Sequence, residues 1–372
     1  MSEIFSVRHN IKCILILFTV IVFQSGAFAQ DPFAGLESLF SEPKSYTLYR
    51  ATSPINIDGE LEEKSWLDAP WTNYFVDIEG ESKPAPAFKT RVKMLWDEKY
   101  LYVAAELEEP HLWANQQAEK DIIFRDNVFK IFIDPDNNVN DDFEIQINPQ
   151  NKMLFLIMNK PYRDSGTPVT GWSPIGYKSG VKLLGTINNS GDKDEGWIAE
   201  IAIPLSALKY DPLNSKQNTN FRINFLRTNF DFNVKDGVYS KALDNSGKAL
   251  PPHYSCFTPQ GIINMHYPER WAYTVFSDKA PSPSIEKFSL PYSEKQRKYL
   301  WLVYYRQKEF FKINKKYASS LKDLNLPVSG ILIDGRNNIL SIEATSKQFL
   351  VIIREENNSY SISVDHDGLI IY

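Results

Sequence analysis

Between Val92 and Phe230 the chain keeps returning to one pattern, a short run of alternating apolar and polar side chains closed by Pro, Asn, Asp or Gly. "FKIFIDP" (129–135), "FEIQINP" (143–149), "GWIAEIAIP" (196–204) and "FRINFLRTNF" (221–230) all follow it. A period of two sends successive side chains to opposite faces, so each run reads as a strand with one face in a core. "VKMLWDEKYLYVAAEL" (92–107) adds two apolar runs around "DEK", a hairpin signature. No long helical period interrupts residues 47–279. Many short strands joined by turn chemistry predict a mainly β fold, an antiparallel β-sandwich. Aromatic residues make up 13% of the chain, enough to fill such a core or to line a binding surface.

The two ends read differently. Arg8 and Lys12 precede the apolar run "CILILFTVIVF", and Ala27 and Ala29 form a small-residue cleavage motif before Gln30. Residues 1–29 therefore read as a signal peptide, with an uncleaved anchor as the alternative. The expected location is periplasmic or extracellular, with no transmembrane segment after cleavage. Residues 30–46 read as an N-terminal tether and 47–279 as the sandwich. A Pro/Ser-rich linker covers 280–292. The rest, 293–372, reads as a small α+β domain, a long helix followed by antiparallel strands. "SEKQRKYLWLVYYRQKEFFKINKKYASSLKDL" (293–324) spaces Leu300, Val303, Tyr304, Phe310 and Phe311 as one helix would, with Ser293 as its expected N-cap.

Charge and chemistry exclude several classes. The net charge of −5 becomes −6 once Arg8, Lys12 and Glu3 leave with the signal, which disfavours nucleic acid as a partner. Cys256 is then the single cysteine, expected as a buried, inert thiol, and no internal disulfide can form. His111, His253, His266 and His366 show no metal-ligand spacing, and no nucleophile motif or phosphate-cradling loop is present. No catalytic constellation emerges, and the chain is not expected to be an enzyme.

One stretch, "IFIDPDNNVNDDFEI" (131–145), places oxygen side chains at Asp134, Asp136, Asn138, Asn140 and Asp142. As a calcium-binding EF-hand loop it fails twice, with Val139 where Gly is needed and Ile145 where Glu is needed. It reads instead as a solvated hairpin turn between two strands.

Seven segments carry a family resemblance, in order. They are "INIDGELEEKSWLDAPW" (55–71), "VKMLWDEKYLYVAAELEEP" (92–110), "RDNVFKIFIDPD" (125–136), "DFEIQINPQN" (142–151), "GWIAEIAIPLSAL" (196–208), "FRINFLRTN" (221–229) and "NMHYPERWAY" (264–273). Together they resemble the family 9 carbohydrate-binding modules and their bacterial relatives, non-catalytic β-sandwiches related to the DOMON group. The resemblance implies an exported protein that binds a sugar or glycan end on the concave face of the sandwich. A pyranose needs flat apolar walls and a polar rim. By alignment, Phe124 takes the position of one aromatic wall, and Met265 stands where a second ring is expected. Trp113 and Trp172, in polar loop contexts, are candidate substitutes. The polar rim is assigned to Lys130, Glu144, Gln146, Asn148, Arg227 and Asn229, with the guanidinium fork of Arg227 the first choice for a carboxylate or vicinal diol. No cofactor is implied, although some family 9 modules carry a structural calcium. The alternatives are an envelope scaffold or protein-interaction module docking through the C-terminal unit, a haem-binding DOMON-like protein, and an undetected glycoside hydrolase.

Overall fold

The structure is a computed structural model that describes residues 31–115, 122–209, 221–283, 287–327 and 330–372. The expected signal peptide lies outside the described residues. Residues 32–372 form one compact unit, and no described helix is long and apolar enough to cross a membrane.

Among the described residues, fifteen strands make up the β part, all but two of them in one large sheet. The first six are β1 (Ser45–Arg50), β2 (Val76–Asp77), β3 (Thr90–Trp96), β4 (Tyr100–Glu108), β5 (Val128–Asp134) and β6 (Asp142–Ile147). Then come β7 (Met153–Met158), β8 (Pro168–Thr170), β9 (Lys178–Leu184), β10 (Gly196–Pro204) and β11 (Arg222–Asn229). The last four are β12 (Phe232–Lys235), β13 (Val238–Lys241), β14 (His253–Cys256) and β15 (Ala272–Ser277). A short helix, α1 (Lys64–Asp68), lies between β1 and β2. Hydrogen bonding runs in the order β8-β7-β6-β5-β11-β15-β1-β3-β4-β10-β9, while β12 and β13 form a separate hairpin.

That sheet curls on itself into two layers. The alternation explains how. Phe129, Ile131 and Ile133 of β5, Phe143, Ile145 and Ile147 of β6 and Ile223 and Phe225 of β11 face Val92, Met94, Val103, Ala105, Trp197, Ala199 and Ile201 from the other layer in one dry core. The predicted sandwich is therefore present, with one refinement. β1 pairs parallel with both β15 and β3, because it enters the sheet between strands that are far apart in the sequence.

Two of the family-like segments meet outside that core. The Asp58–Gly59 turn donates both backbone N–H groups to Glu200 Oε2 (3.1 and 3.0 Å), and Trp66 Nε1 donates to Oε1 (2.7 Å). Gly59 has φ +88°, and a Cβ there would lie 2.6 Å from Lys182 N, so the turn requires glycine. Burial lifts the Glu200 pKa to about 7 against these three donors. Trp66, Trp96, Trp197 and Trp271 are all buried.

The C-terminal part has its own core. The helix α2 (Tyr292–Asn314) packs on an antiparallel meander of β16 (Ile331–Ile333), β17 (Arg336–Ala344), β18 (Phe349–Glu355), β19 (Ser361–Asp365) and β20 (Ile370–Ile371). Its N-cap is Pro291, and Ser293 lies within the first turn without capping it. Leu300 to Tyr305 are buried without interruption, so the middle of α2 is covered on all sides. Phe33, Leu36, Leu39 and Phe40 from the start of the described chain join this core.

The acidic hairpin tip is not solvated as expected. Asn137 and Val139 are fully buried. Asn137 donates to Glu294 of α2 (2.8 Å) and accepts from Arg222 Nε (2.6 Å). Val139 belongs to the core around α2, and Ile370 N donates to Asn138 O (3.2 Å). The segment is a hairpin turn, as its residues predict, but the tip is where the C-terminal part docks.

Candidate carbohydrate site

Strand parity divides the ten candidate residues, apart from Asn148, which is buried in the turn after β6 with its Oδ1 accepting from the Gln150 and Lys152 N–H groups (3.1 and 3.0 Å). On β11, Arg227 shares the face of Ile223 and Phe225, and the register sets it opposite Phe129 of the core. It lies between the layers, not on the outer face with Lys130. Its Nη2 donates to Glu109 (2.8 Å) and its Nη1 to Thr90 Oγ1 (3.0 Å). Asn229 donates to the same Glu109 oxygen (2.9 Å). Burial pushes the Glu109 carboxyl up despite Arg227 beside it. The expected position of Arg227 and Asn229 on the concave face is thus corrected: their donors are engaged in tying the layers together.

The two tryptophans are also elsewhere. Trp113 is buried and stacks on Tyr239 of the β12–β13 hairpin, with centroids 6.3 Å apart. Trp172 packs against Phe143 and Phe155 at the edge of the interlayer core. Neither offers an open wall beside Lys130.

The other five gather on the outer face of β5, β6 and β11. Lys130 stands opposite Gln146 and Leu226, and Phe132 opposite Glu144. Lys130 Nζ reaches diagonally to Glu144 Oε1 (3.0 Å), which also accepts from Gln146 Nε2 (2.7 Å). The Phe124 ring, 46% exposed, lies 5.9 Å from Lys130 Nζ. Met265 packs with Phe132, Leu226 and Trp271 as an apolar floor, not as a wall.

His266, Tyr162 and Thr228 complete this surface. His266 Nε2 lies 3.4 Å from Glu144 Oε2 and Nδ1 3.7 Å from Asp142 Oδ2. The imidazole meets Phe132 and Tyr162 edge-on, with Tyr162 47% exposed. Burial opposes charge on His266, yet the two carboxylates outweigh it and hold its pKa at about 9. Burial likewise opposes charge on Glu144, and Lys130 with His266 bring that carboxyl down to about 2. The Gln146 Oε1 and Thr228 Oγ1 atoms are buried with no hydrogen-bond partner. The surface thus runs from one half-exposed ring to another across a cation, a carboxylate and an imidazolium. Such a row can donate to and accept from hydroxyls while the rings cover C–H faces. The sequence pointed to His266 only through its place beside Met265 in "NMHYPERWAY". Tyr162, in an irregular loop, gave no signal.

Two other expectations bear on chemistry. Cys256 is fully buried, donates to Thr258 O (3.2 Å), and burial pushes its thiol up. Among the described residues, no group of three or more carboxylate, imidazole or thiol side chains is arranged to hold a metal.

Comparison with known proteins bears on the same region. Endo-1,4-β-xylanase A from Thermotoga maritima is 28% identical over 173 residues, which are 45% of this chain and 14% of that protein. Endo-1,4-β-xylanase C from Paenibacillus barcinonensis is 31% identical over 161 residues, 41% of this chain and 12% of that protein. The chain therefore spans only a small part of these curated relatives. Among solved structures, a family 9 carbohydrate-binding module from Caldicellulosiruptor kristjanssonii in complex with cellotriose aligns with a TM-score of 0.40 at 18% identity, over 66% of this chain and all of that one. The same module in complex with glucose aligns with a TM-score of 0.41 at 17% identity over the same shares. The family model described as carbohydrate family 9 binding domain-like matches residues 57–244. This match takes in just over half of the chain, from the Asp58–Gly59 turn through the β12–β13 hairpin, and by it the protein belongs to the carbohydrate family 9 binding domain-like family.

Proposed function

We propose that the protein is an exported, non-catalytic carbohydrate-binding protein that holds a sugar on the outer face of β5, β6 and β11. The observation that carries this reading is the row Phe124–Lys130–Glu144–His266–Tyr162, two half-exposed rings bracketing a buried polar cluster. Family membership supports a sugar as the ligand. The names of the curated relatives make β-1,4-linked xylo-oligosaccharides the first to try, with cello-oligosaccharides beside them. Export rests on the basic, apolar and small-residue pattern of residues 1–29. It is checked by sequencing the N-terminus of the secreted chain, which is expected to begin at Gln30.

Calorimetric titration tests the site. Phe124 is half-exposed and Lys130 lies near the surface, so Phe124→Ala and Lys130→Ala are expected to fold. Each should weaken oligosaccharide binding about tenfold, the scale of one lost ring contact or one charge-assisted hydrogen bond. Binding that both variants leave intact would place the sugar elsewhere, and no binding to any neutral oligosaccharide would overturn the reading.

A further inference from the structure

A second recess lies where residues 39–43, the first turns of α2 and the β16–β17 turn come together. Its volume is about 400 Å³, enough for one small organic molecule. Phe40, Trp301 and Tyr305 supply aromatic walls, and Arg270, Arg297 and Lys298 supply cations. Among the residues lining it, the buried side-chain polar atoms without a hydrogen-bond partner are all nitrogens: Arg270 Nε and Nη1, Arg297 Nε and Nη2, and Trp301 Nε1. No lining carboxylate, hydroxyl or amide leaves a buried oxygen unmatched. Of the lining carboxylates, Glu42 is exposed and Asp334 pairs with Lys295 (2.6 Å), and the two buried ones are already engaged. Glu294 pairs with Arg222 and Arg297 and accepts from Tyr273 and Asn137. Glu269 is held by both terminal nitrogens of Arg163 and by Tyr305. Arg270 has only uncharged partners in its hydrogen bonds, Ser38 O and Ser41 Oγ. A buried guanidinium without a carboxylate is costly, and a ligand that brings one relieves that cost.

We propose that this recess binds a small organic carboxylate, of the sugar-acid class, with its carboxylate on Arg270 and Arg297 and its C–H face against the aromatic walls. Planar guanidinium groups match a carboxylate in geometry, and rings match the apolar face of a pyranose. The site is separate from the outer face of the sandwich and does not depend on what binds there.

The test is titration of the full mature chain with glucuronate, glucose, acetate and inorganic phosphate. Glucuronate should bind saturably and glucose should not bind at this site. Acetate and phosphate should bind at least about tenfold more weakly, because they make no ring contacts. Arg270→Gln should weaken glucuronate about tenfold or more, whereas Lys130→Ala on the other face should leave it unchanged. If Arg270→Gln does not fold, Lys298→Ala on the exposed side of α2 decides, with a loss of several-fold expected. No glucuronate binding, equal binding of all three anions, loss in Lys130→Ala, or full affinity in the deciding variant would each overturn the proposal.

Discussion

His266 shows how much of this surface depends on single side chains. Its ring touches Phe132 and Tyr162, and its nitrogens face Glu144 and Asp142. At 3.7 Å the Asp142 contact is an ion-pair contact, so Coulomb attraction carries it. A histidine whose folded pKa lies near 9, above the unfolded value near 6.5, contributes stability that is fully present below pH 6.5 and lost as pH rises through 9. The loss is on the order of 3 kcal/mol across that window. NMR titration of the His266 imidazole should give a midpoint near pH 9, and urea unfolding should show the wild type losing its advantage over His266→Gln across the same range. A midpoint at or below 6.5 would mean that the carboxylates do not hold the proton. Parity explains why some candidates were legible and others were not. Lys130, Glu144 and Gln146 alternate against Phe129, Ile131, Ile145 and Ile147, so their shared face could be read from the strings. Arg227 follows the same rule, and "RINFLRTN" already puts it on the side of Ile223 and Phe225. Trp113 and Trp172 lie in loops, where no period tells a packed ring from an open one.

At the scale of elements, the β5–β6 hairpin shows what local patterns leave out. Its arms and its turn residues were visible in the sequence. Its burial was not, because the surface that covers the tip comes from α2 and β20, over 150 residues later. The tip accepts unusual backbone to fit there. Asn137, Val139 and Asp141 have φ of 58°, 81° and 55°, and the left-handed region is unfavourable for a β-branched residue such as Val139. The apolar burial of Val139 against the α2 core offsets that cost. Asn137 connects Arg222 of the sandwich to Glu294 of α2, and Ala there would leave both buried groups short of a partner. Asn137→Ala is therefore expected to destabilise the protein by about 1–3 kcal/mol, measured as a lower urea midpoint at unchanged slope. A change under about 0.5 kcal/mol would mean that Arg222 and Glu294 satisfy each other without it.

For the whole molecule, the question is whether the sandwich and the C-terminal part unfold together. Several of the contacts joining them are buried and charged. Arg163, in the loop after β7, donates to Glu269 within the sandwich through both terminal nitrogens (2.9 and 3.1 Å) and across the junction to Tyr304 of α2 (3.1 Å). Tyr304 donates to Asp164 (2.6 Å), which also pairs with Lys308 (2.6 Å). Arg222 meets Glu294 at 2.7 Å, and Lys160 meets Asp367 at 3.0 Å. Separating the parts would strand Arg222 as an unpaired charge, costing several kcal/mol until water reaches it, and would take Lys308 from Asp164 and Arg222 from Glu294, leaving them Arg163 and Arg297 within their own parts. It would also expose Val139 and the aromatic side of α2. A state with one part folded and the other open is thus disfavoured on both polar and apolar grounds, although a chain of this length could otherwise divide into independent domains. Calorimetry on residues 30–372 should show one transition, with equal calorimetric and van't Hoff enthalpies. Asn137→Ala, at the junction, should move that whole transition down without splitting it. Two resolved transitions in the wild type would show that the ion pairs across the junction contribute too little to couple the parts, and that the C-terminal unit is a separately folding attachment to the carbohydrate-binding sandwich.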